Sequence, residues 1–195
     1  MTDAEKIRGT LRLIHQKTLL NHAAEAFLYI RNKKKLQNLE LAAPFTRSPE
    51  ELLQLKKDLG IKGVIFKGAV RFWWEMAVPE NFLNLEEYLA VGIDGVILNL
   101  DELQKLLEGY EFAEGEFYKK QVKALVKFIK PTLKSLHQAK IPVIARGELT
   151  VHHEVLEFLL ESGVWGIVAN TPMEAENLPE HLSWVEKRLV LKKFN

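Results

Sequence analysis

Leu39-Glu40-Leu41-Ala42-Ala43-Pro44-Phe45-Thr46-Arg47-Ser48-Pro49-Glu50-Glu51 holds a strand, a polar tip and the opening of a helix in unbroken succession. Leu39–Phe45 is apolar enough for a buried strand, and Arg47 follows it. Ser48, Pro49 and Glu51 then supply an N-cap, a first-turn proline and a capping-box acid, which opens a helix to about Leu59. Outward from this stretch the same succession recurs: Val70–Trp74 before Glu75, Gly95–Leu98 before Asn99 and Asp101, Ile141–Ala145 before Arg146, and Val164–Ala169 before Asn170. A helical pattern follows each one. Strand, polar tip and helix in repetition is how a parallel α/β sheet presents a site at the carboxyl ends of its strands.

Between these units the pattern is readable in outline. Apolar residues at helical spacing from Thr10 to Arg31 (Leu11, Ile14, Leu19, Ala23, Ala26, Phe27, Ile30) predict an amphipathic helix with a break near Lys17 and Thr18. Lys33–Lys35 reads as a solvated loop. Gly60–Gly68, with Val64–Phe66 inside it, is either a strand extension or a loop. Helices are expected over about Asn81–Ala90, from Asp101 (capping-box spacing to Gln104) to Gly109, over Glu116–Gln138 as the longest, over Val151–Glu161, and over about Glu180–Lys193. Pro131 is expected to kink the longest helix or to join two. Tyr110–Gly115 is an acidic, aromatic loop. Trp73 and Trp74, adjacent on one strand, should face opposite sides.

The expected organisation is a single domain over 1–195, with a helical segment at 1–37 and βα repeats at 38–195. Right-handed crossovers make the sheet parallel. Five or six strands are too few to close an eight-stranded barrel, so the sheet is open or belongs to a larger barrel.

Composition narrows the function classes. The 195 residues are 47% hydrophobic and 27% charged, as in an ordinary globular protein, and carry a formal net charge of +1. Nothing in that balance draws the chain to nucleic acid or a membrane surface. The absence of cysteine excludes disulfides, thiolate metal sites and a cysteine nucleophile or acid. No apolar run approaches the roughly 18 residues of a membrane span, and Met1–Arg8 is polar, so a cytoplasmic location is expected.

Read in order, Arg8-Gly9, Pro44-Phe45-Thr46-Arg47-Ser48-Pro49-Glu50-Glu51, Glu75 with Pro79, Gly95-Val96-Ile97 leading to Asp101, and Gly147-Glu148 followed by Glu157-Phe158-Leu159-Leu160-Glu161-Ser162-Gly163 resemble a known family. It is the carboxyl-terminal barrel of the phosphoenolpyruvate-utilising enzymes, and phosphoenolpyruvate synthase and pyruvate phosphate dikinase are the members it looks most like. The resemblance covers nearly the whole chain from Lys6. It implies a partial TIM barrel of the phosphoenolpyruvate/pyruvate type that binds a small keto acid or enolpyruvate with Mg2+. It also implies that Arg8 grips the ligand's phosphate or carboxylate, that Glu75 and Asp101 hold the magnesium, and that Arg146, Gly147 and Glu148 lie at the substrate. The ion would polarise the enolate oxygen.

The departures from the family pattern are equally specific. The amide before the metal aspartate is Leu100 here, with Asn99 one residue earlier. The family's aspartate-arginine pair falls on Tyr110 and Glu111, which removes a second cationic contact. Its proton-donating cysteine is Arg146, and a guanidinium near neutral pH is no general acid. The early barrel strands, with a further substrate arginine, and the phosphohistidine and nucleotide-binding domains have no counterpart in the sequence. The complete family reaction is therefore not expected from this chain alone.

Plain structural readings stand beside these. Arg8 is otherwise a surface residue near a chain end, and Asp101 a helix cap. Glu75 follows large aromatics, where burial would perturb its pKa. Arg146 is a salt-bridge partner for Glu148 or Glu75, or an anion-binding replacement for the cysteine. His152-His153-Glu154 lacks the second histidine of a zinc motif and reads as a solvated helix start. Three functions follow: a degenerate ligand-binding barrel (a pseudoenzyme candidate), the carboxyl-terminal subunit of a split phosphoenolpyruvate synthase or dikinase, or a magnesium-dependent carbon–carbon lyase on a related barrel. A partner chain or a second copy is expected to complete the barrel.

Overall fold

The computed structural model describes residues 7–110, 114 and 121–194. Most of the loop expected over Tyr110–Gly115, the Glu111 position and the first residues of the helix expected from Glu116 lie outside the described residues. The fold is α/β, with five parallel strands in one sheet of order β1-β2-β3-β4-β5. Sequential order is that of βα-barrel repeats and lacks the reversal that marks a doubly wound sheet. The chain forms two compact units, residues 1–95 and 96–195.

The first unit opens with α1 (Gly9–His15) and α2 (Lys17–Asn32), which break at Gln16, beside the expected position. Helix α2 buries Leu20, Ala24, Phe27 and Arg31, one stripe at helical spacing. Arg31 is a buried guanidinium satisfied by backbone oxygens: it donates to the carbonyls of Gln37 (2.9 Å), Leu39 (2.8 Å) and Ala69 (2.7 Å). It ties the helical segment to the chain entering β1 (Leu41–Ala43). Helix α3 (Pro49–Ile61) begins as its sequence dictates, with the Ser48 hydroxyl accepting from the Glu51 N–H at 3.3 Å. Residues 62–70 form turns, so the strand-extension alternative does not apply.

Strand β2 (Phe72–Met76) is buried at every position and pairs with β1 in the register Leu41↔Phe72 to Ala43↔Trp74. It starts and ends two residues later than expected, so Glu75 lies inside the strand and not beyond it. Trp73 packs on Gly95, where a Cβ would meet the indole at 2.4 Å. Trp74 stacks on Tyr88 with ring centroids 4.0 Å apart. The single helix expected over Asn81–Ala90 is two, α4 (Pro79–Leu83) and α5 (Leu85–Ala90), because the backbone leaves helical geometry at Asn84.

In the second unit, β3 (Gly95–Asn99) pairs with β4 (Val143–Arg146) from Val96↔Val143 to Asn99↔Arg146, and β4 pairs with the two-residue β5 (Gly166–Ile167). Helix α6 (Leu100–Glu108) is capped by Asn99, whose side chain accepts from the Glu102 N–H at 3.2 Å, and it ends on left-handed Gly109. Asp101 is therefore not the cap. Helix α7 (Lys123–Gln138) starts after the non-helical Gln121 and Val122 and runs through Pro131, which joins no two helices. A 3-10 turn (Glu148–Val151) precedes α8 (His153–Glu161). The longest described helix is α9 (Pro172–Phe194), which starts at the Thr171 cap and continues through Pro179.

Fully buried Leu98, Leu100, Leu103, Leu125, Ile129 and Leu136 make up the core of the second unit, and Phe72, Trp74, Met76, Leu52, Leu55 and Tyr88 that of the first. Each such side chain contributes about 1.5–3 kcal/mol through burial. No described helix is long and apolar enough to cross a membrane.

Candidate functional site

At the carboxyl end of β1 the chain turns through Phe45 with φ of +29°, a conformation that a bulky side chain rarely adopts. Contacts from three directions hold it there. Glu75 in β2, 8% exposed, accepts the Phe45 N–H at 3.2 Å through Oε2. Thr10 at the start of α1 donates its N–H to the carbonyls of Pro44 (2.8 Å) and Phe45 (3.3 Å), and its hydroxyl to Pro44 at 2.7 Å. Gly9, at φ of +70°, lies so close that a Cβ would sit 2.2 Å from the Phe45 carbonyl oxygen. Strain held by such over-determination is a common property of functional loops. Arg8 completes the group, its guanidinium carbon 3.9 Å from the Phe45 ring centroid. Two of the residues singled out by sequence, Arg8 and Glu75, thus meet at one aromatic residue.

A buried polar network fixes the surrounding loops. Asn81, with no exposed surface, accepts from the N–H groups of Ala77 (3.1 Å) and Val78 (3.2 Å). It donates to the Thr46 carbonyl (3.0 Å) and the Tyr88 hydroxyl (2.8 Å), bridging the loops after β1 and β2. Tyr88 in turn donates to Glu80. Burial, then the bond to Glu80, raises the Tyr88 pKa far above its ordinary value, so the phenol stays a donor. Thr10 and Thr46 share a hydroxyl contact at 2.9 Å. Sequence reading passes over Thr10, Thr46, Asn81 and Tyr88, because polar residues in loops and short helices resemble solvated ones. The available signal was Asn81 two residues past Pro79, where a first-turn amide reaches back to the preceding backbone.

In the second unit, Asp101 sits in the first turn of α6, and its carboxylate accepts the N–H groups of Glu148 (2.7 Å, Oδ2) and Leu149 (3.1 Å, Oδ1). These two N–H groups open the 3-10 turn, and the carboxylate accepts from both. Gly147, at φ of +120°, makes room: a Cβ there would lie 2.6 Å from the Asp101 carboxylate. Asp101, Gly147 and Glu148 therefore form one cluster at the carboxyl ends of β3 and β4. Arg146 is exposed at the end of β4, in register with Asn99. Among the described residues there is no cluster of three or more His, Asp or Glu fit to hold a metal ion. Carboxylate oxygens are donors of the type Mg2+ takes, and Asp101 keeps one lone pair on each oxygen.

His153 is exposed at the start of its helix, and its ring is engaged by a neighbouring helix. Its Nε2 lies 2.9 Å from Arg188 on α9, its ring meets Trp184 edge-on at 4.8 Å, and Arg188 pairs with Glu157 at 2.8 Å. It serves packing between α8 and α9.

No family model matches the chain. Among curated proteins it is 26% identical to a probable phosphoenolpyruvate synthase of Staphylothermus marinus, covering 96% of this chain and 23% of that protein. It is 22% identical to the phosphoenolpyruvate synthase of Aeropyrum pernix over 96% of this chain and 24% of the relative. A probable phosphoenolpyruvate synthase of Methanocaldococcus jannaschii is 20% identical, with 94% and 16% covered. The chain spans about a quarter of the length of these relatives or less, and over that span it is similar to phosphoenolpyruvate synthases at low identity.

Proposed function

We propose that the chain binds a phosphoenolpyruvate- or pyruvate-type ligand together with Mg2+ and does not complete the synthase reaction by itself. The observation that carries this reading is the strained Phe45 turn, which gathers a buried carboxylate, Glu75, and a guanidinium, Arg8, at a strand's carboxyl end. Arg8 would pair with the ligand's anionic group through its planar fork. Glu75 in the first unit and Asp101 in the second are each a carboxylate of the kind that would hold the ion, which supplies Lewis-acid stabilisation of an enolate when bound. Beside Asp101 lie the Gly147 and Glu148 backbone and an exposed cation, Arg146. That cation could attract an anion but could not deliver a proton to the enolate carbon, since arginine stays protonated. Turnover would then need an acid from elsewhere.

A second reading, a barrel that no longer binds ligand, is favoured by the double hydrogen bond that already occupies Asp101. Calorimetric titration of oxalate, an enolpyruvate mimic, with and without Mg2+ decides between them. Magnesium-dependent binding that disappears in Glu75→Gln and Asp101→Ala supports the proposal. Absence of binding in the unaltered protein under both conditions overturns it. Binding lost in Glu75→Gln but retained in Asp101→Ala would make Asp101 a purely structural tie.

A further inference from the structure

The Phe45 ring carries a second cation. The Arg47 guanidinium carbon lies 4.9 Å from its centroid, against 3.9 Å for Arg8. Two guanidinium groups on one ring repel each other, and the arrangement becomes favourable when anions are shared between them. Arg47 is only loosely engaged by protein. Its Nη1 stands 3.9 Å from Glu51 Oε1, beyond hydrogen-bond length, while the other Glu51 oxygen is taken by the Arg47 backbone N–H at 3.0 Å. That same Nη1 is buried and makes no hydrogen bond among the described residues. A buried donor without an acceptor is costly and calls for an explanation, and an acceptor supplied by a ligand is one.

We propose that Arg47 is a second anion-binding residue at this turn. Paired with Arg8 on the Phe45 ring, it selects a phosphorylated enolpyruvate over an unphosphorylated keto acid or dicarboxylate. The proposal rests on the ligand reading above and adds a residue and a specificity to it. A phosphorylated enolpyruvate bears a carboxylate and a phosphate on neighbouring atoms, and two guanidinium forks match two anionic groups where one fork does not. The place of Arg47 on the β1 loop, held by Thr46 through Asn81, aims it from a rigid base.

The test compares phosphoenolpyruvate with oxalate by calorimetry, at saturating Mg2+, in the unaltered protein, Arg47→Gln and Arg47→Lys. The expected result for Arg47→Gln is a loss of phosphoenolpyruvate affinity of about tenfold or more, with oxalate affinity changed by less than about threefold, as for one lost charge-assisted contact. Arg47→Lys keeps the charge near Glu51 and loses the fork, so it should show a smaller loss confined to the same ligand. Equal binding of phosphoenolpyruvate by all three proteins overturns the role of Arg47 and leaves the ligand reading intact. So does binding of oxalate but not phosphoenolpyruvate by the unaltered protein. A parallel loss of both ligands in Arg47→Gln, or in Arg47→Lys should the first variant fail to fold, also overturns the specificity. Failure of the unaltered protein to bind either ligand removes both proposals together.

Discussion

Phe45 holds a left-handed backbone that costs about 1–3 kcal/mol, and bonds from Glu75 and Thr10 to the turn offset that cost. Gly9→Ala would bring a methyl group to 2.2 Å from the Phe45 carbonyl oxygen at a positive φ. A destabilisation of about 2–4 kcal/mol is expected in urea unfolding, with oxalate binding lost along with the turn. Tyr88 gives a pH signature. Burial and Glu80 keep it protonated in the folded protein at a pH where the unfolded chain, with an ordinary tyrosine pKa near ~10, has released that proton. Stability from this group is complete below about pH 10 and declines as the pH rises further, because the unfolded state then binds fewer protons. Comparing urea midpoints between about pH 8 and about pH 11 should show the decline, and Tyr88→Phe should reduce it.

At the level of elements, the loops after β1 and β2 depend on Asn81, which satisfies Ala77, Val78, Thr46 and Tyr88 at once. Asn81→Ala strands several buried groups and should cost about 2–4 kcal/mol, and it should blunt ligand binding more than Asn84→Ala, exposed just past the end of the same short helix. Helix α6 separates two roles that its sequence confuses. Asn99 with Glu102 and Asp101 with Gln104 have the same cap spacing, and only the structure shows that Asn99 is the cap while Asp101 reaches the loop after β4. Asn99→Ala should cost about 1 kcal/mol in thermal or urea unfolding and leave magnesium-dependent binding in place. The strong local signals were legible: the Ser48 cap and the Gly109 terminus sit where their chemistry predicts. Pro131 joins no two helices, and the closing helix, expected from about Glu180, begins at Pro172 and runs through Pro179.

For the whole molecule, the parallel strands were legible because each apolar run carries a polar residue at or near its carboxyl end, before a helical pattern. Two-residue β5 shows the limit: the six-residue run Val164–Ala169 predicted a longer strand, but a strand lasts only where a neighbour supplies hydrogen bonds, and sequence does not show the neighbour. For the candidate residues, Arg8 and Glu75 in one unit and Asp101 and the Arg146–Glu148 loop in the other, only their places along the chain were legible. The contacts that aim those side chains pass through residues distant in sequence and could not be read locally. The four tryptophans divide between the compact units by number and by surroundings. Trp73 and Trp74, at 5% and 0% exposure, belong to the first, whereas Trp165 and Trp184, at 68% and 52%, belong to the second. Intrinsic fluorescence should therefore contain a blue emission that iodide cannot reach and a red emission that it quenches. During unfolding, each colour would report the melting of its own half without any label.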